Sequence, residues 1–541
     1  MQNNDEILKT LEENIEKWMS ISEKRNLFGN EVLIKPAYIG INHLFVRTFD
    51  VEYKNGVQYE EVWDDTDSYL GIRVLSGDPE TGFGSGFDAN MVGKELNALH
   101  IKNVGDKMFR KLFYESVGAY FRGHEHMSYK KLPVINNVRY NPKLCYIGKM
   151  ERNEYIEEIV ESEYNKDRII KFAKRISEYF SQKKFVNTAT VNYEIKEEVK
   201  RFISSEGSRI QITGRRMRLN FTLEIKDIDG RPIEFFTAIT FSKPGEMVNF
   251  NRIINKLEEF YTKAAARYDC PIQEAGSYPV LLDPAQMGTL FHEAAVAHLF
   301  SADYILNENL STFNLEKLNR QIMPEFISLY DNPILESAKH WNYFKYDDEG
   351  VATSRKQLVE NGVLKNYLTD INTAEILTKI LGREVKAGNS RLSLKEFTKP
   401  EPRISNLEIE TSDYKSLKEM EKSLIRECEA KNLEYGIFAE DFIRGFVNVD
   451  EDEEITGVNA VFPTFMERVY PDGRRIPIKF AHIIGSPHNM LQSIVMLGGP
   501  KKLITGFCGA ESGVIPTSEV SPYGLMRNVE IVNENSDIER G

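Results

Sequence analysis

SRIQITGRRMRLNFTLEIK, residues 208–226, is the stretch that decides the fold class. Apolar and polar side chains alternate along it, as they do in a β-strand whose two faces meet different environments. Asp229 and Gly230 follow and favour a tight hairpin turn into a second strand at 233–242. The sequence therefore predicts an antiparallel sheet in this part of the chain.

Several segments on either side of this stretch have apolar residues at helical spacing instead. Ile7, Leu11, Ile15 and Trp18, for example, fall on one side of a helix. After Pro271, short alternating stretches separated by turn residues predominate, with one charged helix among them. The predicted helices lie within residues 1–30, 88–103, 151–204, 247–268 and 412–433.

This mixture of helices and antiparallel strands predicts an α+β protein. The 541 residues are too many for one ordinary domain, so we expect two large ones. Residues 1–245 are predicted to form a domain of helices and antiparallel sheet, residues 246–274 a helical connector, and residues 275–541 a strand-rich domain. The third segment contains the residues with the strongest chemical signal.

The charge balance argues against a nucleic-acid partner. The chain has 69 basic and 82 acidic residues, a net charge of −13, which repels a phosphate backbone. The basic run Arg215-Arg216-Met-Arg218 divides its charges between the two faces of the predicted strand, so it offers only a small cluster. Hydrophobic residues at 41% and charged residues at 28% exclude collagen-like, fibrous and wholly disordered classes.

The sequence has no features that predict secretion or membrane insertion. The first twenty residues are acidic and amphipathic, unlike a signal peptide, and no stretch reaches the ~18 apolar residues of a membrane helix. The cysteines Cys145, Cys270, Cys428 and Cys508 are widely spaced, which argues against a disulfide framework or a zinc ribbon. We expect a soluble, cytoplasmic protein.

The strongest candidate for a chemical site is the apolar segment Leu290–Phe300, which contains His292, Glu293 and His298. Burying these polar groups in an alanine-rich helix requires a partner, and zinc is one that imidazoles bind. A spacing of six residues, however, leaves the two histidines about 120° apart around an α-helix and ~9 Å apart along it. Both can bind one ion only if the helix ends, kinks or contains a π-turn between them.

A catalytic zinc with three protein ligands needs one more side chain. Cys508 is the natural candidate, because it lies between a strand-like segment and a glycine-flanked turn in Thr505–Gly513. Two alternatives stay open at this point. Cys508 can be a small core thiol, and His292 and His298 can be hydrogen-bonded core histidines.

Four other conspicuous motifs are interpreted mainly as structural features and not as catalytic sites. The glycine-rich run is predicted to be a turn, because it follows a break rather than opening a helix after a strand. The two acidic runs are predicted to be solvated, with a hard-cation site as the open alternative for the longer run. The second His-Glu pair lies in a strand or loop context. These motifs are Gly82-Phe-Gly84-Ser-Gly86, Asp347-Asp-Glu349, Asp450–Glu454 and His124-Glu125-His126.

An ordered set of segments resembles a known family. In the N-terminal half it includes Gly71-Ile-Arg73, and it continues with Pro279–Leu282, Leu358–Leu368, Pro402–Asn406 and Cys508–Pro516. Through these segments the chain resembles the TldD/PmbA family of zinc metallopeptidases over almost its whole length.

The resemblance implies a zinc ion held by His292, His298 and Cys508, with Glu293 as the general base. This chain has four residues between Glu293 and His298 where the family has three, and Ala297 stands where the family usually has glycine. The resemblance also implies hydrolysis of unfolded or flexible peptides, bound as an added strand in an interior cleft, by a homodimer or a heterodimer with a related chain. The alternative is a non-catalytic PmbA-like partner or scaffold subunit with a degraded metal site.

Overall fold

The computed structural model describes residues 2–27, 30–129, 134–135, 138–159, 163–297, 299–306, 313–449, 455–510 and 512–533. Helices and strands mix in both halves of the chain, so the α+β prediction is confirmed. Each half builds its own large sheet. The exact domain boundaries stay a prediction. Within the described ranges, no helix is long and apolar enough to span a membrane.

The described part of the first half contains four α-helices and twelve strands. The helices are α1 (Gln2–Met19), α2 (Ala98–Tyr129), α3 (Lys166–Ser181) and α4 (Phe250–Ala265). The strands are β1 (Glu23–Leu27), β2 (Asn30–Ile34), β3 (Pro36–Lys54), β4 (Val57–Gln58), β5 (Trp63–Asp78), β6 (Gly82–Gly93), β7 (Val134–Ile135), β8 (Val138–Arg139), β9 (Glu154–Ile156), β10 (Val186–Ser204), β11 (Arg209–Lys226) and β12 (Pro232–Thr240).

The first sheet has the strand order β12-β11-β10-β3-β5-β6. Its strand β11 is the alternating stretch that predicted the fold class, and it pairs antiparallel with β10 and with β12 across the predicted hairpin. Leu219 and Phe221 of β11 lie in a core with apolar residues of α3 and α4. The opposite face is polar and approaches the second half of the chain, where Lys196 and Arg218 lie near the ring of Phe507.

The described part of the second half contains five α-helices and fourteen strands. The helices are α5 (Pro284–Phe291), α6 (Ala302–Leu306), α7 (Ile371–Leu381), α8 (Leu417–Ala430) and α9 (Pro487–Gln492). The strands are β13 (Gly276–Leu282), β14 (Ile327–Asp331), β15 (Lys356–Glu360), β16 (Val363–Leu364), β17 (Ser390–Arg391), β18 (Glu401–Pro402), β19 (Asn406–Thr411), β20 (Tyr414–Lys415), β21 (Gly436–Val449), β22 (Ile455–Val469), β23 (Arg475–Ile478), β24 (Ala481–Gly485), β25 (Ile494–Ala510) and β26 (Gly513–Asn533).

The second sheet is organised around the long strand β26, which pairs with β13, β19, β24 and β25. Strands β25 and β26 form a hairpin in which Cys508 lies opposite Ile515. Helix α5 packs against β26 and β21, and its residues Met287, Leu290 and Phe291 belong to the largest apolar core. The sheet therefore holds α5 and Cys508 on fixed elements of one core.

Two predicted helical regions are strands in part. Residues up to Gly93 belong to β6, and α2 begins only at Ala98. Residues 186–204 form β10, although their many charges suggested a helix. The alternate residues Val191, Tyr193 and Ile195 are fully buried, and the charges lie on the polar face of the sheet. Because one face carries many charges, the two-residue alternation of a β-strand was hard to recognise in the sequence.

The run Gly82–Gly86 is part of β6 and not a turn. A Cβ atom on Gly84 would lie 2.0 Å from the carbonyl oxygen of Ser116 in α2, and one on Gly86 would lie 2.5 Å from the carbonyl oxygen of Leu112. These glycines therefore let α2 pack directly on the strand. The run from His124 to His126 lies in α2, not in a strand or loop.

In the run Asp347-Asp-Glu349 the outer two residues are buried and Asp348 is half-buried, contrary to the prediction of a solvated turn. Asp347 accepts hydrogen bonds from the backbone N–H groups of Val351 and Ser390 at 2.9 and 3.0 Å. Glu349 forms an ion pair with Arg73 of the first sheet. The turn thus joins the two halves of the chain, which its composition does not reveal. The acidic run Asp450–Glu454 lies outside the described residues.

Candidate metal centre

The segment that carries the predicted ligands begins as an ordinary buried helix. Asp283 caps α5 by accepting a hydrogen bond from the backbone N–H of Gln286 at 2.9 Å, and Pro284 occupies the first helical position. Burial raises the pKa of Asp283 to about 7, and the nearby Asp441 contributes to the rise. Every residue of α5 is buried, so the helix is a rigid support for the turn at its C-terminal end.

A single π-helical turn continues from α5, spanning His292 to Val296. The backbone N–H of Ala297 donates to the carbonyl of His292 at 2.9 Å, which is a bond between residues five apart. Such a turn contains one residue more than an α-helical turn, and it is common at functional sites. It therefore provides the interruption that the spacing of six required. His298 itself lies outside the described residues.

His292 lies between Glu519 and Cys508. Its Nδ1 is 2.8 Å from Oε1 of Glu519, and its ring also shares a side-chain hydrogen bond with Cys508. All three side chains are buried. Burial by itself lowers the pKa of His292, but the negative charge of a Cys508 thiolate and the carboxylate of Glu519 outweigh burial and raise that pKa well above its ordinary value.

These contacts fit a zinc ligand set. Imidazole nitrogen and thiolate sulfur are both good zinc ligands. A metal-binding histidine usually donates its other ring N–H to a carboxylate, which fixes its orientation. Glu519 occupies that position at Nδ1 of His292, so Nε2 is the nitrogen for the metal. The described residues contain no complete group of three or more ligands, and His298 is not among them.

Glu293 follows His292 and has a half-buried side chain that lies against β21. A Cβ atom on Gly445 of that strand would lie 2.9 Å from Cγ of Glu293 and 2.7 Å from Cγ2 of Thr289. Glycine is therefore the residue that leaves room for the Glu293 side chain here. The structure thus brings His292 and Cys508 together and sets Glu293 in a fitted space next to His292.

Sequence reasoning missed Glu519 and Gly445. Glu519 lies in β26, opposite Ile504 of β25, and 227 positions after His292. Its only sequence signal is a carboxylate in a strand that is otherwise largely buried. The sequence could not predict the role of Gly445. A glycine in a strand indicates that another group comes close, but it does not identify that group.

Comparisons with known proteins show which proteins the chain is similar to. Residues 275–533 match the model of the PmbA/TldA metallopeptidase C-terminal domain. A protein of Methanothermobacter thermautotrophicus named metalloprotease is 27% identical over 347 residues, which cover 64% of this chain and 70% of that protein. A zinc metalloprotease TldD homolog of Saccharolobus solfataricus is 26% identical over 284 residues, so the match spans 52% of this chain and about half, 54%, of that protein.

The fold extends the similarity to nearly the full chain. TldE from Thermococcus kodakarensis superposes with a TM-score of 0.63 at 14% identity, over 97% of this chain and 100% of that one. At this identity the superposition shows a common fold and no more. Together with the matched domain and the relatives, it places the protein among the two-sheet α+β proteins with a metallopeptidase-type C-terminal domain. The C-terminal domain of the chain matches the PmbA/TldA family model, and the chain is similar to metalloproteases of the TldD type.

Proposed function

We propose that this chain is a zinc-dependent metallopeptidase that hydrolyses unfolded or flexible peptides. The observation that carries the proposal is the buried contact of His292 with both Cys508 and Glu519. Relatives named metalloprotease and zinc metalloprotease support it. His292, His298 and Cys508 would hold the metal. When bound, zinc polarises a peptide carbonyl and makes a water molecule a stronger acid.

Glu293 is the general base in this proposal. It accepts a proton from the attacking water and passes it to the leaving amine. Its place directly after His292, and the space that Gly445 leaves for its side chain, support this role. Glu519 is a positioning residue, because it holds Nδ1 of His292 and so orients the ring.

Strand β25 supports the binding of an extended peptide beside the site. From Lys502 to Ala510 one edge of β25 pairs with β26. Among the described residues, no strand pairs with the other edge over this range. A free edge offers main-chain hydrogen bonds that do not depend on the side chains of the added peptide. Cys508 lies within this part of β25, so an added peptide would run past the proposed ligand.

We also propose that the protein works as a dimer, with a second copy or with a related chain. The fold that it shares with TldE of Thermococcus kodakarensis supports a related chain as partner. The cytoplasmic location and the lack of a nucleic-acid partner stay predictions from the sequence.

The first experiment is elemental analysis of protein purified without chelators or metal-affinity resin. We expect about one zinc per chain, as for a three-ligand site. Cys508→Ala should lose the metal, and Cys428→Ala, which removes another buried thiol, should keep it. Glu293→Gln should retain zinc and lose peptide cleavage at least about 10²-fold.

A wild-type protein without zinc, even after zinc is added back, would contradict the proposal. The chain would then be the non-catalytic partner or scaffold subunit. Zinc that stays bound in Cys508→Ala would show that the ligand set is wrong, and full activity in Glu293→Gln would show that the base is wrong.

A further inference from the structure

Arg218 differs from the neighbouring cations on the polar face of the first sheet. Arg216 on the same strand forms an ion pair with Glu198, and Lys196 forms one with Glu194, the residue directly across from Arg218. The side chain of Arg218 makes no hydrogen bond or ion pair within the described part of the chain. Its Nε atom is buried without a partner. A partly buried cation without a partner costs stability, so its presence needs another reason.

The surroundings of Arg218 come from both halves of the chain. Its guanidinium carbon is 5.7 Å from the ring centre of Phe236 in β12, 5.9 Å from that of Trp341 and 5.5 Å from that of Phe507 in β25. The rings of Trp341 and Phe507 meet edge to face, with centres 5.2 Å apart. These rings hold the guanidinium in place by cation–π attraction while leaving its N–H donors unused.

Arg218 and Asn220 line the same cavity, which has a volume of about 340 Å³. The Nδ2 of Asn220 donates to Asn192 at 3.0 Å, but its Oδ1 is buried without a partner. The cavity thus presents a cation without a hydrogen-bond partner and, beside it, an amide oxygen that can accept a hydrogen bond from an N–H donor. The acid on its wall is Glu52 of β3, two strands from Arg218, or about 10 Å away. Glu194, directly across from Arg218, is close enough for its charge to act on the guanidinium, but its carboxylate pairs with Lys196. Neither carboxylate forms a hydrogen bond with Arg218.

We propose that Arg218 forms a subsite for a carboxylate of the bound peptide. The inference rests on the proposed peptidase function and names its substrate class. A peptide added to the edge of β25 alternates its side chains between the Cys508 face and the Phe507 face. A carboxylate on the Phe507 face meets Arg218, whose planar N–H donors match it. Peptides with an acidic residue or a free C-terminus at that position are the preferred substrates.

Peptide binding tests the subsite without requiring catalysis. Fluorescence anisotropy is measured on Glu293→Gln protein, so that a substrate survives. Three labelled peptides of one sequence are compared: one with Glu and an amidated C-terminus, one with Gln and an amidated C-terminus, and one with Gln and a free C-terminus. We expect a carboxylate peptide to bind about tenfold tighter than the neutral one, the effect of a charge-assisted hydrogen bond. Tighter binding of the Glu peptide would indicate that the side chain is recognised, and tighter binding of the peptide with a free C-terminus would indicate that the C-terminus is recognised.

Variants of Arg218 then identify the group responsible. Arg218→Met should abolish the tenfold preference, and Arg218→Lys should keep part of it. Arg474→Met should keep all of it, because Arg474 is an exposed turn residue paired with Asp472. Arg218→Met loses the cation–π contacts but no hydrogen bond or ion pair, and it also removes an uncompensated charge, so we expect the midpoint of thermal unfolding to change little. A purely structural arginine would lower it.

Equal binding of the three peptides, or a preference that survives Arg218→Met, would overturn the subsite. If no peptide binds, millimolar N-acetylglutamate α-amide is used as the probe in thermal unfolding. A rise in the midpoint in the Glu293→Gln parent but not in the additional Arg218→Met variant supports the subsite, and no rise overturns it. Zinc content and cleavage test the proposed function separately, so the two failures are distinguishable.

Discussion

At the scale of single residues, Glu519 sets the chemistry of the candidate centre. A histidine that contacts only a thiol can rotate, and either ring nitrogen can carry the proton. The 2.8 Å contact of Nδ1 with Glu519 fixes both the ring and the tautomer when the histidine is neutral. The same contact explains why a buried histidine and a buried glutamate are tolerated in this core, since each satisfies the other.

Glu519→Gln tests this role. We expect zinc affinity to fall about 10- to 100-fold, because the amide holds the imidazole less firmly and makes it a weaker ligand. Competition with a chromophoric chelator measures the affinity. Glu530→Gln, an exposed glutamate on the same strand, is the matched control and should leave the affinity unchanged. An unchanged affinity in Glu519→Gln would mean that the ring is held by other contacts.

At the scale of secondary-structure elements, the π-turn and β21 act together. The π-turn from His292 to Val296 contains the extra residue that separates this chain from the family spacing. Strand β21 crosses next to it. Because Gly445 has no side chain, the strand can approach Glu293 more closely than a residue with a Cβ atom would allow. The position of Glu293 is therefore decided by the contact between two elements as well as by its own helix.

Gly445→Ala is the corresponding prediction. The added methyl group would meet Cγ of Glu293 at 2.9 Å, so the carboxylate must shift. Because a displacement of about 1 Å can cost 10²-fold in rate, we expect cleavage to fall by that order with zinc content unchanged. Gly214→Ala, on a strand with open space around the glycine, should have no effect. Loss of zinc in Gly445→Ala would instead indicate a disturbed ligand set.

At the scale of the whole molecule, the two halves enclose a cavity of about 420 Å³. Eight basic and four acidic side chains line it, which contrasts with the net charge of −13 of the chain. The half-buried ion pair of Glu198 with Arg216 belongs to this lining. Burial by itself raises the pKa of Glu198, but Arg216 and the lysines at 196 and 200 lower it to about 2.

The sign of the pH dependence comes from this lowered pKa. Glu198 titrates at 4.5 when unperturbed, so the folded state binds its proton less tightly than the unfolded state does. The stabilisation is present above pH 4.5 and is lost as the pH falls towards 2. We expect Glu198→Gln to lower the free energy of unfolding by about 2 kcal/mol at pH 7, because it leaves the half-buried Arg216 uncompensated. The deficit should shrink below pH 4.5.

Urea unfolding between pH 3 and 7 provides the measurement for this variant. Glu336→Gln removes an exposed partner of Lys339 and is the control, with an expected change below about 0.5 kcal/mol. A deficit in Glu198→Gln that is the same at every pH would show that the loss comes from packing and not from the ion pair.

The sequence by itself determined the features that local periodicity and residue chemistry express. The alternation of residues 208–226 and the Asp229-Gly230 turn predicted β11 and its hairpin, both of which the structure confirms. The ordered segments predicted the family, and the His292 and Cys508 predicted as ligands do lie together. The roles of His298 as ligand and Glu293 as base stay predictions.

Only the tertiary structure decided which distant residues meet. Glu519 contacts His292 across 227 positions, Gly445 makes space for Glu293, and the halves of the chain bring Phe507 to Arg218. Nothing in the local sequence encodes these distances, because they depend on sheet register and on the packing of one core on another. Residue type and spacing predicted the candidate ligands. Long-range packing decided which groups surround those ligands and left the side chain of Arg218 without a hydrogen-bond partner.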